Sequence, residues 1–184
     1  MTRNASLTLA ALLLSAAACA PRPAPVAAGT IMPACAPPPP PTEPATTVPV
    51  SPPWAEVRLP GTFREEAMTQ ATEETLPQRW VAPADRATVM LLIAERNRLP
   101  GFGLPEYTSG PPAHCRTEIA GATARVAAFQ AVRDGTAADT LYVATVDAPL
   151  PSGQVFYATV IARSAVRRDA LLGAVRALRR LSPP

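Results

Sequence analysis

LYVATVDAPLPSGQVFYATVIA, residues 141–162, carries two strands and the turn between them. The first arm, Leu141 to Val146, and the second, Gln154 to Ala162, are rich in β-branched and aromatic residues. Pro149 to Gly153 supplies the residues of a reversal. Along the second arm Val155, Tyr157 and Ile161 fall on one side, and Phe156 and Val160 on the other. A strand that is apolar on both faces needs cover on both, so this arm belongs in the middle of a sheet.

Upstream, Ala87 to Ala94 contains the unbroken apolar run Val89 to Ile93. Its length and its flanking prolines favour a strand over a buried helical turn. Cys115 to Ile119 and Ala122 to Val132 flank Ala120-Gly121, and the glycine supports a hairpin turn. The second arm is rich in alanine, so a helix with Val126, Phe129 and Val132 on one side also fits. Two shorter strands are expected at Trp54 to Leu59, stopped by Pro60-Gly61, and at Gln78 to Val81. Leu99 to Pro112 repeats Pro and Gly and reads as a long loop. Its aromatic residues Phe102 and Tyr107 either close a ligand or partner pocket or fasten the loop to the core.

Downstream, Leu171, Val175 and Leu178 recur at helical spacing, with Leu172 and Leu181 widening the stripe. The expected helix runs from Asp169 to Leu181 and ends at Pro183-Pro184. Arg176 and Arg180 fall on its polar side, and its apolar stripe covers one sheet face. The fold class is therefore α+β: a mostly antiparallel sheet with a C-terminal helix packed on one face, over residues 54–184.

The rest of the chain has another composition. Residues 19–53 are dominated by Pro, Ala, Thr and Val, and Pro37 to Pro41 is unbroken. Proline fixes φ and has no N–H donor, so this segment is expected to be a disordered tether of polyproline II character. Fully extended, it would reach on the order of 100 Å. Met1 to Ala18 has a basic start at Arg3, a short apolar run from Leu7 to Leu14, and small residues at Ala16 to Ala18. That is the layout of a secretory signal peptide, and the run is too short to span a bilayer, which takes about 20 residues.

Leu14-Ser15-Ala16-Ala17-Ala18-Cys19 resembles the lipobox of bacterial lipoproteins. The resemblance implies acylation of Cys19, cleavage before it and, with Ala20 following, retention at the periplasmic face of the outer membrane in a diderm cell. Ordinary cleavage of a secreted protein is the alternative. The element order over residues 54–184 is similar to the PsbP-like α+β fold, which some bacterial lipoproteins share. That resemblance implies binding or assembly rather than catalysis.

With Cys19 acylated, Cys35 and Cys115 remain, and an oxidising compartment permits them to pair with each other or between molecules. The net charge of +3 comes from arginine alone, since lysine is absent. This small excess fits a solvated helix face better than a nucleic-acid surface. His114 is the single histidine, and its neighbour Cys115 would point to the opposite face of a strand. Glu65-Glu66 and Glu73-Glu74 read as surface charge rather than paired catalytic carboxylates. No catalytic, metal or cofactor residue is assigned from the sequence.

The expected function is a membrane-anchored envelope lipoprotein, held in the bilayer through acylated Cys19. Its domain would act as a binding or assembly module for an envelope protein partner. Two alternatives stand beside it. One is an enzyme of unfamiliar type using the 99–112 loop; the other is a structural lipoprotein touching a second membrane through its arginine-rich C-terminal helix.

Overall fold

In the computed structural model the described residues are 32–40, 42–50, 55–67, 77–95, 107–133, 139–150 and 152–180. Cys19, the 1–18 leader, Phe102 and Glu73-Glu74 lie outside them. Among the described residues eleven strands and one helix follow in chain order. They are β1 (Ala45–Val50), β2 (Ala55–Pro60), β3 (Arg64–Glu66), β4 (Gln78–Val81), β5 (Thr88–Glu95), β6 (Tyr107–Ser109), β7 (Ala113–Ile119), β8 (Ala122–Arg133), β9 (Thr140–Pro149), β10 (Gln154–Ala162), α1 (Ala165–Arg176) and β11 (Arg179–Arg180). The fold is mostly antiparallel β-sheet with one C-terminal helix.

The larger sheet has the order β3-β4-β5-β10-β9-β8-β6, and β7 shares the outer edge of β8 with β6. β10 is central, between β5 and β9, as its two apolar faces require. Phe156, Ala158 and Val160 are fully buried on one face, and Val155 and Thr159 are buried on the other. The segment at 122–133 is a strand, not a helix. Every residue from Ala122 to Ala128 pairs with β7, and this ladder outweighs the helix preference of alanine.

Ala120 and Gly121 form the two-residue link of that hairpin with φ of 52° and 79°, the conformation of a type I′ turn. Alanine is strained there. Ala120→Asn should raise the stability by about 0.5–1 kcal/mol, read as a higher midpoint of urea unfolding.

One face of the large sheet carries the main core. Val89, Leu91, Val126, Val146, Phe156 and Val160 meet Val48, Val50, Val57 and Leu59 of β1 and β2, together with Leu171 and Val175 of α1. The cover is thus a helix plus a second sheet, ordered β1-β2-β11. This second sheet corrects two expectations. β1 lies inside the 19–53 stretch read as disordered tether, so the fold begins before Trp54. A proline within the strand, Pro49, is tolerated because β1 is an edge strand paired only with β2, while Val48 and Val50 are fully buried.

The helix is also displaced from the expected Asp169–Leu181. It starts at Ala165 because Ser164, in extended conformation, caps it: the Ser164 hydroxyl accepts the Arg167 N–H at 3.2 Å. It stops at Arg176, and the Leu178 N–H donates to Val175 O. Leu178 is nevertheless buried, so the apolar spacing continues past the helix into the chain that returns as β11. Arg176 and Arg180 are therefore split between a helix and a strand rather than sharing one polar helix face. Arg176 is turned to the domain: its Nε donates to Thr117 Oγ1 at 3.0 Å and its Nη1 to Ala36 O at 2.6 Å.

Candidate functional site

Among the described residues two features gather charged or reactive side chains: a cleft at the first turn of α1 and a cystine on β7. The cleft, of about 590 Å³, is lined by residues 43–46, Gly61, Thr62, the turn 82–85 and Arg167. The Ser164 cap places Arg167 on the first turn. Asp85 is set by its own turn, where its Oδ1 accepts the Ala87 N–H at 3.0 Å and the Arg86 N–H donates to Ala82 O. Glu43 arrives from the chain just before β1.

These three groups engage one another. Arg167 Nη1 donates to Glu43 Oε2 at 3.3 Å, and Arg167 Nε lies 2.8 Å from Asp85 Oδ2. The second contact is close but off the N–H direction, so it is an ion pair without a hydrogen bond, and the buried Nε keeps its proton unpartnered. The guanidinium carbon also sits 5.8 Å from the Phe63 ring centroid, within cation–π range. One cation is held by two carboxylates and an aromatic ring. Such an arrangement ties the helix start, the β4–β5 turn and the segment before β1 together.

Gly61 makes the approach possible. Its φ is +92°, and a Cβ there would come within 3.0 Å of both Arg167 Nη2 and Glu43 Oε2. Gly61→Ala should cost about 2 kcal/mol, from backbone strain plus the displaced ion pair. A thermal melt lowered by less than about 2 °C would remove Gly61 from this role.

The second feature joins residues that the sequence marks. Cys35 and Cys115 form a disulfide, with Cα atoms 4.9 Å apart and a separation of 80 positions in the chain. Cys115 is therefore no free thiol for His114, which is exposed on β7 opposite Ala127. Tyr107, in β6, is half-buried and packs against the small cluster of Ala131, Leu141 and Val143. It fastens its segment to the sheet. Glu65 is exposed, and Glu66 lies 3.9 Å from Arg64 and from Arg79 across the β3–β4 pair.

Tyr157 has a raised phenol pKa. Burial is the main cause, the neighbouring Asp147 charge adds to it, and a contact with Thr159 opposes it. The phenol thus stays protonated at neutral pH.

Among the described residues no group of three or more His, Cys, Asp or Glu is placed to hold a metal ion, and no helix is long and apolar enough to cross a membrane. Arg167, Asp85, Glu43 and Gly61 are not singled out by the sequence. The readable signals were the Ser164 cap and the Pro83–Asp85 turn; nothing local links Glu43 to a residue 124 positions away. No protein-family model matches the chain, and no curated protein matches it.

Proposed function

We propose that the chain is an exported envelope lipoprotein whose domain is a non-catalytic binding or assembly module, held near the membrane by acylated Cys19. The observation that carries this reading is the Cys35–Cys115 disulfide. Structural disulfides persist in oxidising compartments such as the periplasm and are rare in the cytosol. A cystine sixteen residues after the lipobox cysteine agrees with the export signal that precedes it. The cleft is in keeping with the non-catalytic part, since Arg167, Asp85 and Glu43 are bound to one another.

The geometry of attachment changes with the fold. Among the described residues the first backbone bond to the domain is at Pro33, whose carbonyl accepts the Arg116 N–H at 2.8 Å. From Cys19 to Pro33 an extended chain covers about 45 Å, less than half the reach expected of a free 19–53 tether.

Mass spectrometry of protein purified from native envelopes tests the reading. The expected species begins at Cys19 and carries diacylglycerol. A chain still joined to residues 1–18, or a bare Cys19 at the new terminus, would end the lipoprotein assignment. For the binding role, affinity purification of the detergent-solubilised full chain should return a stoichiometric envelope partner; recovery of the protein alone would count against it.

A further inference from the structure

Residues 32–40 run along the outside of the domain and are fastened near Cys35. The Cys35 N–H donates to Arg116 O at 2.9 Å and the Arg116 N–H donates to Pro33 O at 2.8 Å, a parallel bridge on the outer edge of β7. The disulfide crosses from Cys35 to Cys115 at the same point. Arg176 adds its bond to Ala36 O, and Gly173 of α1 leaves the space into which Pro38 fits.

Beyond these contacts the segment has little to hold it. Ala36–Pro40 are all exposed, and Pro37 to Pro41 have no N–H to give to a ladder. The next fixed point is β1, whose Val48 and Val50 are fully buried and whose whole length pairs with β2. Among the described residues the links between them are the Glu43–Arg167 ion pair, whose carboxylate side is half exposed and which holds weakly, and the Gly61 N–H donating to Pro44 O at 2.7 Å beside the start of β1. The strap is thus fastened mainly around its cystine, and the fold resumes at Pro44. Both cysteines are half-buried rather than sealed in the core.

We propose that the Cys35–Cys115 disulfide is a thiol-operated latch: it holds residues 32–40 on the domain when oxidised and releases them, without unfolding either sheet, when reduced. The reductant is a dithiol. One of its thiolates attacks a sulfur of the cystine, the S–S bond breaks, and a mixed disulfide forms. The second thiol then displaces the protein sulfur, so that Cys35 and Cys115 each end as a thiol and the dithiol as its own disulfide. Release frees the Arg116 N–H and C=O on the β7 edge. Its consequence for reach rests on the lipid-anchor reading: the lead from Cys19 then runs to β1, and the span open to the domain grows by about 35 Å.

The test uses the ¹⁵N-labelled full chain in detergent micelles, before and after a small-molecule dithiol. On reduction, order parameters at Ala34 and Ala36 should fall from about 0.85 to below about 0.6. Amide exchange at Arg116 should speed up at least tenfold, while Val48 and Val57 keep order parameters of about 0.85. The double variant Cys35→Ser/Cys115→Ser should show the released state without reductant. A strap that stays rigid in reduced protein overturns the latch. So does a fall of the order parameters at Val48 and Val57, or a double variant that retains the strap. The anchor is read separately, as the bilayer-to-domain distance in nanodiscs. If the strap is loose and that distance is unchanged, the lipid-anchor reading fails and the latch survives.

Discussion

Phe156→Ala should lower the stability of the domain by about 4 kcal/mol, which for a domain of this size shifts the thermal midpoint by roughly 10–15 °C. Phe156 is fully buried in the central strand, paired with Ile93 of β5 on one side and Ala148 of β9 on the other. Truncation of a buried phenylalanine removes its transfer free energy and leaves a cavity, and the cost depends on how far the neighbours close in. Here they are poorly equipped to do so. Ala144, Ala148, Ala158 and Ala162 share this face, and alanine has no rotamer with which to fill a void. The chain is only 5% aromatic, so Phe156 supplies bulk that no nearby side chain replaces. Phe156→Leu restores most of the volume and should recover more than half of the loss. Circular dichroism melts of the two variants under non-reducing conditions give the comparison. A Phe156→Ala midpoint within about 3 °C of the parent would mean that β1, β2 and α1 do not close over this face as a packed core.

How far this fold could be read from residues follows from where its order is local. β4 and β10 coincide with the expected Gln78–Val81 and Gln154–Ala162, and the β7–β8 hairpin turns at Ala120-Gly121 as expected. In each case the determining signal lies within the strand or its turn. β1, β6, β11 and the true limits of α1 were not legible, and the reason is shared. ATTVPV reads as tether because Pro49 counts against a strand, and only the partner β2 makes that position an edge. Arg179 and Arg180 look like the last turn of a helix because Leu178 keeps the apolar spacing. Their pairing with Glu56 and Ala55 depends on a strand more than a hundred residues earlier. The cleft was hidden in the same way. Its glycine, carboxylates and arginine come from four separated segments, and none has a spacing that marks it. The cystine was half visible, since composition shows two spare cysteines but not the parallel bridge that brings Pro33 and Arg116 together.

Cys35→Ser/Cys115→Ser should cost about 4 kcal/mol of unfolding free energy, and most of that change should come from the unfolded chain. The disulfide closes a loop of 80 residues that contains β1 through β6. Opening a loop of that size returns about 4.5 kcal/mol of configurational freedom to the denatured ensemble on the chain-entropy account. The folded side loses much less. The contacts at stake are the bridge at Arg116, the Arg176–Ala36 bond and the seat of Pro38, all at the exposed rim. The ladders β5–β10, β10–β9 and β9–β8 include neither cysteine. This division predicts more than a lower midpoint. An uncrosslinked denatured chain exposes more surface, so the dependence of unfolding free energy on denaturant should steepen as the midpoint falls. Urea titrations of the oxidised parent and the double serine variant, followed by far-ultraviolet circular dichroism at 25 °C, measure both quantities. The native baselines should coincide, because the sheets stay intact. A falling midpoint with an unchanged slope would place the loss in the folded state. The strap would then be part of the core's support, and reduction of the cystine could not act on it alone.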